Sequence, residues 1–148
     1  MSTPRQQKSR HILTHGVGQS TVELAAVLAI LLPILVGAVD LGRAYFAYDI
    51  LVHAVNEGVR RGSFDTDAAN VVATVRAAGG PLDLPSGDII VTCFSGATTT
   101  TKACGSMVLG DSVRVAATAS FTPITPLIAA LIPGGSLTLR AVTQRTFQ

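Results

Sequence analysis

Two cysteines, Cys93 and Cys104, bracket a threonine-rich segment and are the pair with the clearest chemical meaning. If their part of the chain lies outside the cytoplasm, an isolated pair at this spacing forms a disulfide. The alternative is two free, buried thiols. With no histidine near them they do not complete a zinc site. The three histidines, His11, His15 and His53, are scattered. His53 falls within reach of Asp49 and Glu57 on a helical spacing, which reads as a solvated surface group and not as a ligand. Asp65, Asp67, Asp83, Asp88 and Asp111 stand at turn and cap positions, where aspartate hydrogen-bonds locally. No G-x-S-x-G elbow and no phosphate-cradling glycine loop occurs: Gly16-Val17-Gly18 precedes an apolar run with no strand before it. The expectation is a protein that is not an enzyme, with no catalytic residue, metal or cofactor and no small-molecule substrate.

Glu23 is chemically the least expected group. It is the only acid in residues 1–39, and it opens an uncharged apolar run, residues 24–39. At ~1.5 Å per residue that run spans roughly 24 Å, and Val22 and Leu41 extend it to a transmembrane segment over 22–41. A carboxylate drawn toward the centre of a bilayer costs roughly 2.5–3.5 kcal/mol. It therefore needs a cationic partner or a shallow position, or it serves as a helix N-terminal charge. An ammonium created by cutting after Gly18 would be one such partner. Pro33 lies mid-span, where a kink is tolerated if neighbouring groups satisfy the freed carbonyl. Asp40 marks the far end, Arg43 reaches outward, and Tyr45, Phe46 and Tyr48 supply an interfacial aromatic cluster.

Charge sets the direction of insertion. Arg5, Lys8 and Arg10 give residues 1–18 a charge of +3 with no acid, whereas the remainder is nearly balanced. A basic tail before a span stays in the cytoplasm, so the bulk of the chain lies outside. The basic excess is therefore a topology signal. With 5% aromatics and no tryptophan, a nucleic-acid face is not expected. A secretory signal peptide is the competing reading, with Val36-Gly37-Ala38 as its cleavage site and a mature start near Val39. The apolar run is long for that role, and its pattern flows unbroken into an amphipathic helix. A permanently anchored accessory protein, never processed, is a third reading.

Gly18-Gln19, Val22-Glu23, Pro33, Gly37, Asp40-Leu41-Gly42-Arg43-Ala44, Ala54, Glu57-Gly58 and Arg60 together resemble the TadE-like family, minor pseudopilins of tight-adherence (Flp-type) type IV pilus systems. Phe121-Thr122-Pro123, Pro126 and Leu131-Ile132-Pro133-Gly134-Gly135 add shorter likenesses. The resemblance implies a structural protein and cleavage by a prepilin peptidase between Gly18 and Gln19. It also implies a role in assembly for Glu23 as the fifth mature residue. The implied partners are other pilins, the Tad assembly machinery and membrane lipid. Major Flp pilins carry a tyrosine after this glutamate. Leu24 stands there instead, which points to a minor component.

The remaining elements follow from periodicity. Leu41, Ala44, Tyr45, Tyr48, Val52, Val55 and Val59 form a helical stripe, so one helix is expected from about Ser20 to Arg61, with Glu57 and Arg61 as an i,i+4 pair. Asp65-Thr66-Asp67 caps a second helix to about Ala78, which Gly79-Gly80-Pro81 ends. Asp88 to Phe94, Ser112 to Phe121 and Leu137 to Thr146 read as strands, the second with Val113, Val115, Ala117, Ala119 and Phe121 on one face. Thr125 to Ile132 is a short apolar segment, one or two helical turns at the domain edge, expected to be buried against the sheet, with contact to the membrane surface as the alternative. The fold class is α+β: a long N-terminal pilin-like helix packed on a small antiparallel sheet. The expected organisation is a cleaved basic leader over 1–18, the long helix over 19–63 and an extracytoplasmic domain over 64–148.

Overall fold

A computed structural model describes residues 16–96 and 100–148. The expected leader residues Arg5, Lys8, Arg10, His11 and His15 lie outside the described residues, as does the 97–99 stretch of the threonine-rich loop.

Helix α1, Gly16–Gly62, is one continuous element that begins a turn earlier than the expected start near Ser20. The chain divides into two compact units, Met1–Val36 and Gly37–Gln148, and α1 contributes to both. In the first unit α1 exposes its apolar side chains on every face. Leu24, Ile30, Leu32, Ile34 and Leu35 are all open, as suits a helix whose solvent is lipid. Its most apolar 18 residues have a mean hydropathy of 2.6, and none is buried. Pro33 sits inside the helix and leaves the Ala29 carbonyl without its i−4 donor.

In the second unit α1 becomes the spine of an α+β fold. After it come α2 (Ala68–Gly79), β1 (Ile89–Phe94), β2 (Thr101–Lys102), β3 (Ser112–Phe121), α3 (Pro126–Leu131) and β4 (Leu137–Thr146). The strands form one antiparallel sheet in the order β2-β1-β3-β4. Asp67 caps α2 by accepting the Ala69 N–H at 2.9 Å, and Gly80 closes the helix at a φ of 49° that a side chain would disfavour. Strand β3 places Val113, Val115, Ala117 and Ala119 in the core, as its period-2 pattern requires, and Phe121 stays half-buried at its end.

The face of α1 that meets the sheet coincides with the expected stripe only at its far end. Val55 and Val59 are buried as the stripe predicts, together with Leu51, Ala54, Gly58 and Gly62, but Leu41, Tyr45 and Tyr48 are exposed. The physical reason is close packing. The helix turns its glycines, not its aromatics, toward its neighbours. A Cβ at Gly58 would overlap the Val75 Cγ2 atom of α2, and one at Gly62 would stand 3.1 Å from Val113 Cγ2 of β3. Gly58 and Gly62 are one turn apart, so together they let α1, α2 and β3 approach at a single crossing. The surface pairing also differs. Glu57 accepts from Arg60, three residues on, with Arg60 Nε at 3.0 Å, and Arg61 pairs with Asp65 at 2.8 Å. Asp65 recruits Arg61 at the helix end, and its own carboxyl is held low first by the Asp67 N–H and then by Asn70.

Candidate assembly surface

The first half of α1 carries the residues to which the sequence resemblance gives a role in processing and assembly. Gly18 and Gln19 are exposed in its opening turns, and Glu23 follows on an open face. Glu23 is the only charged residue between Gly16 and Val39, and among the described residues it has no ion-pair partner. Leu24 and Val39 bound an exposed apolar surface interrupted only by Pro33 and Gly37. A helix of this kind can satisfy its apolar side chains with lipid or with other apolar helices, and its carboxylate with a cationic or hydrogen-bonding donor.

Where α1 enters the second unit, a collar of interactions fixes the chain that follows β3. Asp40 is 4% exposed. Its carboxylate accepts the backbone N–H groups of Ile124 and Thr125 at 3.2 and 2.9 Å and the Arg43 guanidinium at 3.0 Å. Arg43 lies over the Phe121 ring, 5.4 Å from its centroid. Asp40 therefore ties the entry of α3 to the helix, and the sequence reading of a mere boundary charge missed this. Periodicity carries a faint signal of it, since Asp40 shares the helical phase of Ala47, Leu51, Ala54 and Gly58. Two apolar hollows flank the same turns of α1. One, of about 500 Å³, is lined by Val39, Phe46, Ile50, Leu82 and Phe121. The other, of about 190 Å³, is lined by Gly37, Leu41, Pro123, Ile128 and Ile132.

Segment 125–132 also departs from expectation. Leu131 is 77% exposed and Pro126 and Ala130 are open, so the segment is not buried against the sheet. The short α3 meets α1 through Ile128, whose Cδ1 would lie 3.5 Å from a Cβ at Gly37.

At the opposite end of β3 a second polar cluster holds the loops. Cys93 and Cys104 are joined in a disulfide. Asp111, also buried, accepts from Lys102 Nζ at 2.7 Å and from the N–H groups of Val108 and Gly96 at 2.8 and 2.9 Å. These bonds, Lys102 first, hold its carboxyl down at about 2, against an ordinary 3.8. Ser112 donates to the Gly96 carbonyl at 3.0 Å and accepts from Gln144 at 2.9 Å, which links the loop to β4. This is loop-fixing chemistry. Among the described residues no group of histidine, cysteine and acidic side chains is arranged to hold a metal ion.

These features define a class: an α+β protein whose leading helix is long and apolar enough to cross a membrane, which supports single-pass anchoring. The family model for TadE-like proteins matches residues 18–60, nearly all of α1, and the match is consistent with a TadE-like protein of Tad pilus systems. That family is structural and pilus-associated. No curated protein and no solved structure gives a significant match to the chain.

Proposed function

We propose that the protein is a minor pseudopilin of a Tad-type surface pilus. It inserts with its basic tail in the cytoplasm and its second unit outside. A prepilin peptidase trims it between Gly18 and Gln19, and it is held in the membrane as a single-span protein. It then enters the fibre or primes its assembly, in contact with other pilins and the Tad machinery. Assembly proceeds by packing the first half of α1 against neighbouring helices, and Glu23 sets the register by meeting the new N-terminal ammonium of an adjacent subunit.

The observation that carries this reading is the exposed apolar helix surface with Glu23 as its one charge, which has no ion-pair partner among the described residues. An ordinary anchor needs no carboxylate there, and an unpaired one is costly in lipid, so its presence argues for a partner met during assembly. The TadE-like match over the same helix supports it.

Two measurements test the proposal. Sequencing the N-terminus of the membrane-extracted protein is expected to give Gln19; a start near Val39 means secretion, and an intact leader means a permanent anchor. Glu23→Ala is expected to insert normally but to be lost from sheared pili. Normal incorporation of that variant refutes the role given to Glu23.

A further inference from the structure

Beyond the single span, we infer that the 121–137 segment is a second membrane contact: an interfacial wedge, led by Ile124 and Leu131, that rests in the lipid headgroup region beside α1. The inference rests on the membrane reading of α1 but not on assembly into a fibre.

Sequence, height and surface chemistry all point to it. From Val115 to Leu139 the chain has no charged residue, although such residues are spread through the rest of the second unit. Its large exposed hydrophobics are Ile124, Leu131 and Leu137, the first two the most open, and the exposed polar side chains beside them, Thr122 and Ser136 among them, are small and uncharged. The height is set by contacts within this unit. Ile128 lies against Gly37, and the Ile124 and Thr125 N–H groups are bound by Asp40. Gly37 and Val39 belong to the last turn of the apolar run, so a bilayer that covers that run to its end reaches α3. Tyr45, 72% exposed, and Phe46 stand about 9 Å further along α1, at a rise of ~1.5 Å per residue, where headgroups would meet aromatic rings. Arg43, partly exposed over Phe121, is placed to meet lipid phosphate.

Depth follows from the backbone. Irregular chain does not enter the hydrocarbon core, because its N–H groups would go unpaired. Here Pro123, Pro126 and Pro133 have no N–H, and Asp40 takes two more. The segment is thus suited to the boundary layer, where apolar side chains insert while the backbone stays near water. A neighbouring subunit could cover the same patch. Lipid is the better fit because the patch is continuous with the lipid-facing end of the span and has no charge to set a protein register.

Tryptophan fluorescence tests this directly, since the chain has none of its own. Leu131→Trp and Ile124→Trp, each in the full-length chain, would be reconstituted in phosphatidylglycerol–phosphatidylcholine vesicles at low protein-to-lipid ratio. Leu31→Trp, within the span, and Leu109→Trp, 79% exposed at the other end of β3, are the controls. Expected at 131 and 124 are blue-shifted emission, loss of most intensity to brominated lipid and shielding from iodide, against red-shifted, unquenched emission at 109. If positions 131 and 124 behave like 109 while 31 is quenched, the wedge is refuted and the anchor stands. If 31 is also unquenched, the membrane reading fails and the wedge with it. Shielding that appears only on raising the protein-to-lipid ratio assigns the patch to a second copy and overturns the proposal.

Discussion

Replacing a glycine inside a helix by alanine ordinarily stabilises by about 0.5–1 kcal/mol, because alanine loses less backbone entropy. Gly58→Ala should do the opposite. The added methyl would overlap Val75 Cγ2, with Val75 Cβ and Val115 Cγ1 behind it at 3.6 and 3.7 Å. Val75 is fully buried and β-branched, so it has essentially one rotamer in a helix and nowhere to turn. Overpacking of this kind costs about 1–3 kcal/mol. After the propensity gain the net loss is about 0.5–2 kcal/mol, which at roughly 4 °C per kcal/mol for a unit of this size lowers Tm by about 2–8 °C. Gly42→Ala is the matched control, since a Cβ there meets nothing within 4 Å, and it should raise Tm by about 2–4 °C. Thermal unfolding of the full chain in detergent, followed by circular dichroism, reads both. A double-mutant cycle sharpens the test: in a Val75→Ala background the methyl has room, and Gly58→Ala should become neutral or stabilising, a coupling of about 0.5–3 kcal/mol. If Gly58→Ala stabilises the wild-type chain as Gly42→Ala does, the close crossing of α1, α2 and β3 is wrong.

Other perturbations probe the two ends of the sheet. Reducing the Cys93–Cys104 bond, or the paired change to serine, reopens a loop of about 12 residues and should cost roughly 3 kcal/mol of stability in the chain-entropy model, seen as a lower denaturant midpoint. Asp111 has a carboxyl pKa lowered to about 2, so the folded state binds fewer protons than the unfolded state between that value and 3.8. Its contribution is complete above about pH 4 and is lost as pH falls toward 2. Lys102→Met removes the largest cause of the shift, so NMR titration should find the Asp111 pKa raised toward the ordinary value; an unchanged value would disprove the pairing. Asp40→Leu removes the acceptor for Ile124 and Thr125, and hydrogen exchange at those two amides should accelerate while β3 amides stay protected.

The α+β layout was legible because its signals are local. Apolar continuity over 24–39, the Asp67 cap and the alternation along β3 each reflect the period of one element. The face that α1 turns inward was not legible. The sequence offers two stripes of similar apolarity, one with Tyr45 and Tyr48 and one with Ala47, Leu51 and Ala54. The choice between them is made by Gly58 and Gly62, whose value appears only when α2 and β3 are in place. Asp40 was misread for a related reason. A carboxylate at the end of an apolar run is indistinguishable from a boundary charge until the Ile124 and Thr125 amides, more than eighty residues later, arrive to be bound. Those contacts also explain why segment 124–132 is held beside the helix and not folded under the sheet. Two backbone donors bound by a buried carboxylate fix its entry at α1, so its remaining apolar surface must find a solvent there. The functional half of α1 is the reverse case. Its apolar side chains from Leu24 to Leu35 are open, so the fold adds little to what Glu23 and the apolar run already imply in the sequence.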